Sequence, residues 1–346
     1  MRSRLSRIAV ALLTMLLSPL LLSPLTSPPK AAPSVVAPAA APLGTLTVHV
    51  SPHGNDKSSG LSARAAVRTI DRAEVVAVNN RGKERDVDVR IAAGTYRGQS
   101  ADWTTASPGH RVRFIPAAWN GRGAPAEKIR PVFDGRGKND YWLNIEPSKR
   151  SSGTRFEVHG MTVRNYTNGL RISGGYRYKG SPTAYAHGIG AHLPGVRVQN
   201  NTFTRIGDAF TGGAGTGWAA LSLQNVSGAR VTGNTMSDVR NRDRAEYSLV
   251  HGVYAVYSNV EVRSNRFATI SGDAVRLRSS TSGKIHANTF TRTGRYGAVS
   301  DWYCNRACAR EHGQMIERPS TKVSVTGNAV GRSFSGGPLA QFKRTV

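Results

Sequence analysis

HGVYAVYSNVEVRSNRFATISGDAVRLRSSTSGKIHANTF, residues 251–290, says one phrase twice. In VEVRSNRF (260–267) and GKIHANTF (283–290), small or apolar residues alternate with polar ones, then come Asn, one further residue and Phe. Asn265 and Asn288 stand 23 residues apart. A unit that short cannot close a core of its own, so each copy must stack on its neighbours, as the coils of a solenoid do.

Working outward, the same template fits FEVHGMTV (156–163), VRVQNNTF (196–203), ARVTGNTM (229–236) and VSVTGNAV (323–330). Asn201, Asn234, Asn265, Asn288 and Asn328 share one position, which Met161 occupies in the first copy. In-register coils would stack these amides about 4.8 Å apart, where each can bond the next, so their role is structural. The Asn-x-Ser/Thr triplets at Asn165, Asn200 and Asn225 are read as coincidental.

A second strand follows each template: GLRIS (169–173), HGIGAHL (187–193), ALSLQ (220–224), HGVYAVY (251–257), DAVRLRS (273–279), GAVSDWY (297–303) and PLAQF (338–342). Alternation turns Leu170, Ile172, Ile189, Ala191, Leu221, Leu223, Val253, Ala255, Val275 and Leu277 inward. Between the coils lie insertions at 174–186, 206–218, 237–250 and 304–320, and in a solenoid such insertions gather on one face, often the binding face.

The chain before the repeats has its own divisions. Residues 1–30 combine Arg2, Arg4 and Arg7 with an apolar run from Ile8 to about Leu25, the layout of a secretory signal peptide. Prolines inside the run and the Ala/Pro-rich linker 31–42 favour cleavage over a retained membrane anchor. Export to the extracellular side is expected, with no membrane association after cleavage. Residues 43–346 then read as one domain: 43–85 a strand, loop and amphipathic helix, and 86–346 the coils. Short alternating segments at 86–98, 110–117, 129–137 and 141–147 supply the first coils.

VHVSPHGND (48–56) with TIDRA (69–73), and later AAGTYRG (92–98), resemble the opening of secreted right-handed parallel β-helix proteins of the pectate-lyase-like superfamily. The resemblance implies an all-β fold, a right-handed parallel β-helix with a short N-terminal strand and helix cap. It also raises carbohydrate-active chemistry, since the superfamily holds many polysaccharide lyases, hydrolases and epimerases. Calcium enters only through that resemblance, with no aspartate cluster behind it. No cofactor or metal site is read from the sequence.

The chain carries 47 basic and 21 acidic residues, for a net charge of +26, and Arg outnumbers Lys 37 to 10. A field of that sign suits anionic partners, here an acidic polysaccharide or cell-surface glycan. Nucleic acid ranks last, because no basic helix or RNA-binding sheet signature occurs. A monomer is expected. The two cysteines, Cys304 and Cys308, fit a small disulfide clip in an exported chain.

Stacking the second strands in register sets His251 beside Asp273, and Tyr254 beside Arg276 with Ser222 and Ser300 on the flanking rungs. Gln224, Arg278 and Trp302 share the next column around Val256. A lyase must neutralise a uronate carboxylate and move the proton beside it. Arg276 and Arg278 are candidates for the first task. Tyr254 or His251 would exchange protons, with Asp273 orienting the imidazole. Trp302 and Tyr247 are candidates to stack on sugar rings, and His187, His192 and Gln224 to bind substrate. Two other readings stand beside elimination: binding of anionic glycan without chemistry, and glycoside hydrolysis by Asp273 with Asp301 or Glu246.

Overall fold

A computed structural model describes residues 44–80, 85–147, 153–174, 177–189, 192–212 and 215–345, without the side chains of 138–139, 177–179 and 186–189. The expected signal peptide and linker lie outside these residues. Residues 43–346 form one compact unit.

The path is an all-β, right-handed parallel β-helix. One sheet of nine strands runs in chain order from Leu46–Val50 to Val323–Thr326. Its pairing is parallel throughout, with Val158, Val198, Val231, Val262, Ile285 and Val325 in one column. A fourteen-stranded sheet supplies the other walls. It is continuous because Thr162–Ser173 pairs with Thr202–Ile206 through its first half and with Ala219–Gln224 through its second. Phe203, Met236, Phe267 and Phe290 fill a second inward column, and Leu170, Leu221, Val253 and Val275 a third. All of these except the half-buried Val325 are fully buried, at roughly 1.5–3 kcal/mol for each large apolar side chain.

The turn between the first two walls explains the repeated phrase. Each ladder position follows a residue in the left-handed region: Gly160, Asn200, Gly233, Ser264, Ala287 and Gly327, with φ between 54° and 68°. That conformation tolerates Gly and Asn best, hence the small or polar residue before each Asn. The next residue then turns its amide inward. The Asn201 backbone N–H and Nδ2 both donate to Asn234 Oδ1, at 2.9 and 3.0 Å. Asn234 does the same to Asn265, Asn265 to Asn288, and Asn288 to Asn328. Met161, which lacks an amide side chain, joins only through its backbone N–H, donated to Asn201 Oδ1. Asn165, Asn200 and Asn225 are themselves left-handed turn residues.

At the N-terminal end, helix α1 (Ile70–Asn80) buries Ile70, Ala73, Val76 and Ala77 and packs on the strand Leu46–Val50. Asp56 ties the loop to the start of α1 by accepting from the N–H groups of Arg68 and Thr69.

Three expectations are corrected. HGIGAHL is not a coil strand: Ala184–Ile189 folds back antiparallel on Arg177–Ser181, so His187 sits in a hairpin made by the insertion. Its side chain, with those of Ile189 and Ala191, lies outside the described residues. The segments 129–137 and 141–147 belong to a single strand, Pro131–Ile145, with irregular register in its middle. The final strand is Phe342–Thr345 rather than 338–342, which places Lys343 beside Ser300.

Candidate functional site

Strands His251–Val256, Val275–Arg278 and Val299–Trp302 lie side by side, and their inward residues fix which side chains face out. Ser222, Tyr254, Arg276, Ser300 and Lys343 form one outward column, and Gln224, Val256, Arg278 and Trp302 the next. A cavity of about 190 Å³ opens over these columns. His251, Tyr254, Arg276, Arg278 and Trp302 line it, joined by Trp218 and Tyr296 from the loops.

Arg278 is the hub. Its Nε donates to both carboxylate oxygens of Glu317 at 2.8 and 3.0 Å, its Nη1 donates to the Tyr254 hydroxyl oxygen at 3.0 Å, and its guanidinium lies 4.4 Å over the Trp302 ring. Burial opposes the charge on Arg278, but Tyr254 and Glu317 outweigh it and raise its pKa above the ordinary value. Since Nη1 donates to the phenolic oxygen, the hydroxyl hydrogen of Tyr254 is free to point elsewhere.

Asp273 does a different job from the one expected. Its carboxylate accepts from Arg276 Nε and Nη2 at 3.1 and 2.6 Å, from Ser300 Oγ at 2.5 Å, and from the backbone N–H groups of Arg295, Tyr296 and Gly297. Burial works against this carboxylate, yet Arg276 and the Ser300 hydroxyl overcome that and hold its pKa below the usual range. Asp273 thus clamps the loop carrying Tyr296 to Arg276. Arg276 keeps Nη1 uncommitted among the described residues.

His251 meets Asp273 through the backbone, not the carboxylate. The Asp273 N–H donates to Nδ1 at 3.2 Å, which assigns the imidazole hydrogen to Nε2. Complete burial, with Arg276 close by, lowers its pKa to about 3. The ring is a neutral donor stacked 5.5 Å from Tyr254, and it is poorly suited to take up a proton.

The other expected residues scatter. Gln224 shares the column but accepts from Arg171 Nη2 at 3.0 Å and does not line the cavity. Tyr247 lines a neighbouring groove with Arg244, Arg295 and Phe334, edge to face with Phe334. His192 stacks on Tyr257, away from the cavity. Cys304 and Cys308 form a disulfide that closes the start of helix α2 (Arg306–His312). Asp301 is fully buried, accepting from Arg344 and the Ser320 N–H, and Glu246 accepts from Thr216. Among the described residues, no carboxylate lines the cavity. No group of three or more His, Cys, Asp or Glu able to hold a metal occurs among the described residues.

Sequence reasoning missed Glu317, Trp218 and Tyr296. Glu317 is buried behind Arg278 and fixed to the disulfide, accepting from the Cys304 N–H at 3.1 Å while its own N–H donates to the Cys304 carbonyl at 2.7 Å. Trp218, exposed at the end of an insertion, carried the clearer signal.

Residues 148–308 match the family model described as right handed beta helix region. Among solved structures, pectate lyase Pel9A is similar at a TM-score of 0.39 and 12% identity, covering 88% of this chain and 76% of that one. The GH136 lacto-N-biosidase of Eubacterium ramulus is similar at 0.20 and 11%, covering 86% and 68%. Likenesses of this size carry no functional argument. No curated protein matches the chain.

Proposed function

We propose that this protein is an exported carbohydrate-active enzyme that cleaves an acidic, uronate-containing polysaccharide by elimination at the cavity over Tyr254. One observation carries the reading: the Tyr254 hydroxyl, bonded to Arg278, stands one rung from Arg276, whose Nη1 is uncommitted among the described residues. In this scheme Arg276 Nη1 and the neutral His251 Nε2–H donate to the sugar carboxylate, easing charge build-up on the adjacent carbon. The Tyr254 oxygen, after its hydroxyl proton has passed to solvent, takes the proton from that carbon, a carbon–carbon double bond forms, and the glycosidic carbon–oxygen bond breaks. The same proton then passes to the departing oxygen. Arg278 stabilises the negative phenolic oxygen meanwhile. Trp218, Tyr296 and Trp302 offer faces for sugar rings.

Hydrolysis loses its support, because Asp273 and Asp301 are fully buried and Glu246 lies outside the cavity lining. Binding without chemistry keeps one observation in its favour: both cavity arginines already hold protein carboxylates. Incubation with a panel of uronate polymers, following the ultraviolet absorbance of unsaturated products, separates the two. Absorbance that rises with wild type and not with Tyr254→Phe supports elimination. Retention of polymer without any product supports binding alone.

A further inference from the structure

The outer face of the nine-stranded sheet belongs to a different wall from the cavity. Its central column runs from Arg113 through Glu157, Arg197, Arg230 and Glu261 to Lys284, one residue per rung. Opposite charges alternate along this column, as stable cross-strand pairing favours, except at Arg197 and Arg230. These two like charges sit on adjacent rungs, about 4.8 Å apart along the axis. Neither is well compensated: Arg197 comes no closer than 3.9 Å to Glu157, and Arg230 no closer than 3.6 Å to Glu261. Their side chains are 47% and 59% exposed.

Two depressions flank this pair, and each takes part of its lining from the strand Ala229–Thr232. One, of about 490 Å³, has Arg111, Arg113, Arg197 and Thr232 in its lining beside the single acid Glu157, and the other, of about 410 Å³, has Arg230, Lys284 and Lys322 beside the single acid Glu261. The first also holds a built polar centre. His159 is 4% exposed and bonded to Glu157 at 3.2 Å, its Nδ1 is buried with no hydrogen-bond partner, and Trp119 lies 5.0 Å over its ring. An unpaired buried ring nitrogen beneath a half-buried tryptophan, beside guanidinium groups held only loosely by Glu157 and Glu261, is poor design for a merely solvated face. It suits a sugar ring set against an aromatic plane, with acidic substituents meeting arginine forks.

We propose that this face is a second docking surface, for an acidic polysaccharide lying along the solenoid axis, with Trp119 at one end, Arg197 and Arg230 at the centre and Lys284 with Lys322 at the other end. It holds polymer without reacting on it. The proposal goes beyond the elimination reading and stands without it. Carboxylated and sulfated glycans share the required chemistry, and the two probes below tell them apart.

The test uses the full chain in a Tyr254→Phe background, so that turnover does not enter. Binding is measured to immobilised polygalacturonate and, separately, to heparin. Replacing Arg197→Gln together with Arg230→Gln, both exposed, should weaken binding to at least one glycan about tenfold, and Trp119→Ala should weaken the same interaction. The control pair Lys57→Gln with Arg64→Gln removes equal charge from the exposed N-terminal region and should change binding less than about twofold. A loss confined to polygalacturonate identifies a carboxylated ligand, and one confined to heparin a sulfated ligand. Binding unchanged by the central arginine pair overturns the proposal. So does an equal loss in the control pair, which would mean that net charge alone is responsible. Circular dichroism of Trp119→Ala separates lost contact from lost fold, and the arginine pair decides the matter if that variant does not fold.

Discussion

Arg278 Nη1 donates to the phenolic oxygen of Tyr254 at 3.0 Å, reaching diagonally across two adjacent strands of the parallel sheet. Tyr254 faces Arg276 in register, while the guanidinium that bonds its hydroxyl is that of Arg278, two residues further along the neighbouring strand. Removing the hydroxyl in Tyr254→Phe should cut turnover on uronate polymer by about 100-fold or more, the usual weight of a proton-transfer group. It should cost only about 1 kcal/mol of stability, since Arg278 keeps Glu317 and Trp302. Initial rates and urea unfolding measure the two effects.

Glu317 sets where Arg278 points. Glu317→Gln keeps the shape but weakens a charge-assisted pair, and turnover should fall about tenfold while the disulfide stays formed. Reducing the Cys304–Cys308 bond should lower activity by the same route, because Glu317 is pinned to the backbone of Cys304. Activity with and without reductant, compared between wild type and Glu317→Gln, shows whether the two losses overlap.

The amide ladder is a stability element. In Asn265→Ala, the backbone N–H and Nδ2 of Asn234 lose their acceptor, and the carbonyls of Val231 and Arg263 lose a donor. Stranding buried polar groups in this way should cost about 2–4 kcal/mol. Thermal unfolding reads this as a lowered Tm, and Asn328→Ala, at the partly exposed end of the ladder, should cost less.

His251 gives stability a pH dependence of definite sign. Its folded pKa is depressed from 6.5 to about 3, so the contribution is fully present above 6.5. As pH falls below that value, the unfolded chain takes up a proton that the folded chain refuses, and stability drops by about 1.4 kcal/mol per pH unit toward pH 3. Between pH 6.5 and 5 the loss should be about 2 kcal/mol greater in wild type than in His251→Gln. Urea unfolding at the two pH values supplies the comparison. Asp273, whose pKa is also depressed, contributes stability present above the carboxylate range and lost only at lower pH.

The coils were legible because a period-two pattern tolerates no slip: moving a strand by one residue would turn Val253 and Val275 outward and drive Tyr254 and Arg276 into the solenoid core. The register of Tyr254, Arg276, Arg278 and Trp302 followed from that pattern alone. The insertions carry no such constraint. HGIGAHL (187–193), whose first residues belong to the hairpin of Arg177–Ser181 and Ala184–Ile189, therefore reads as a coil strand, and Glu317, Trp218 and Tyr296 give no periodic signal although they complete the site. Chemical roles were harder still. That His251 is a neutral donor, and that the Asp273 carboxylate serves Arg276 and a loop, depends on burial and on which atom of Asp273 meets the ring, and no spacing in the chain records either.

Elimination at Tyr254, the proposed route by which the glycosidic bond breaks, leaves a signature in the product masses. Mass spectrometry of the fragments from a defined uronate oligosaccharide tests it most directly. Elimination predicts fragments whose masses sum to that of the parent, one of them unsaturated, produced by wild type and not by Tyr254→Phe. Fragments that together exceed the parent by one water, or equal cleavage by Tyr254→Phe, would contradict it.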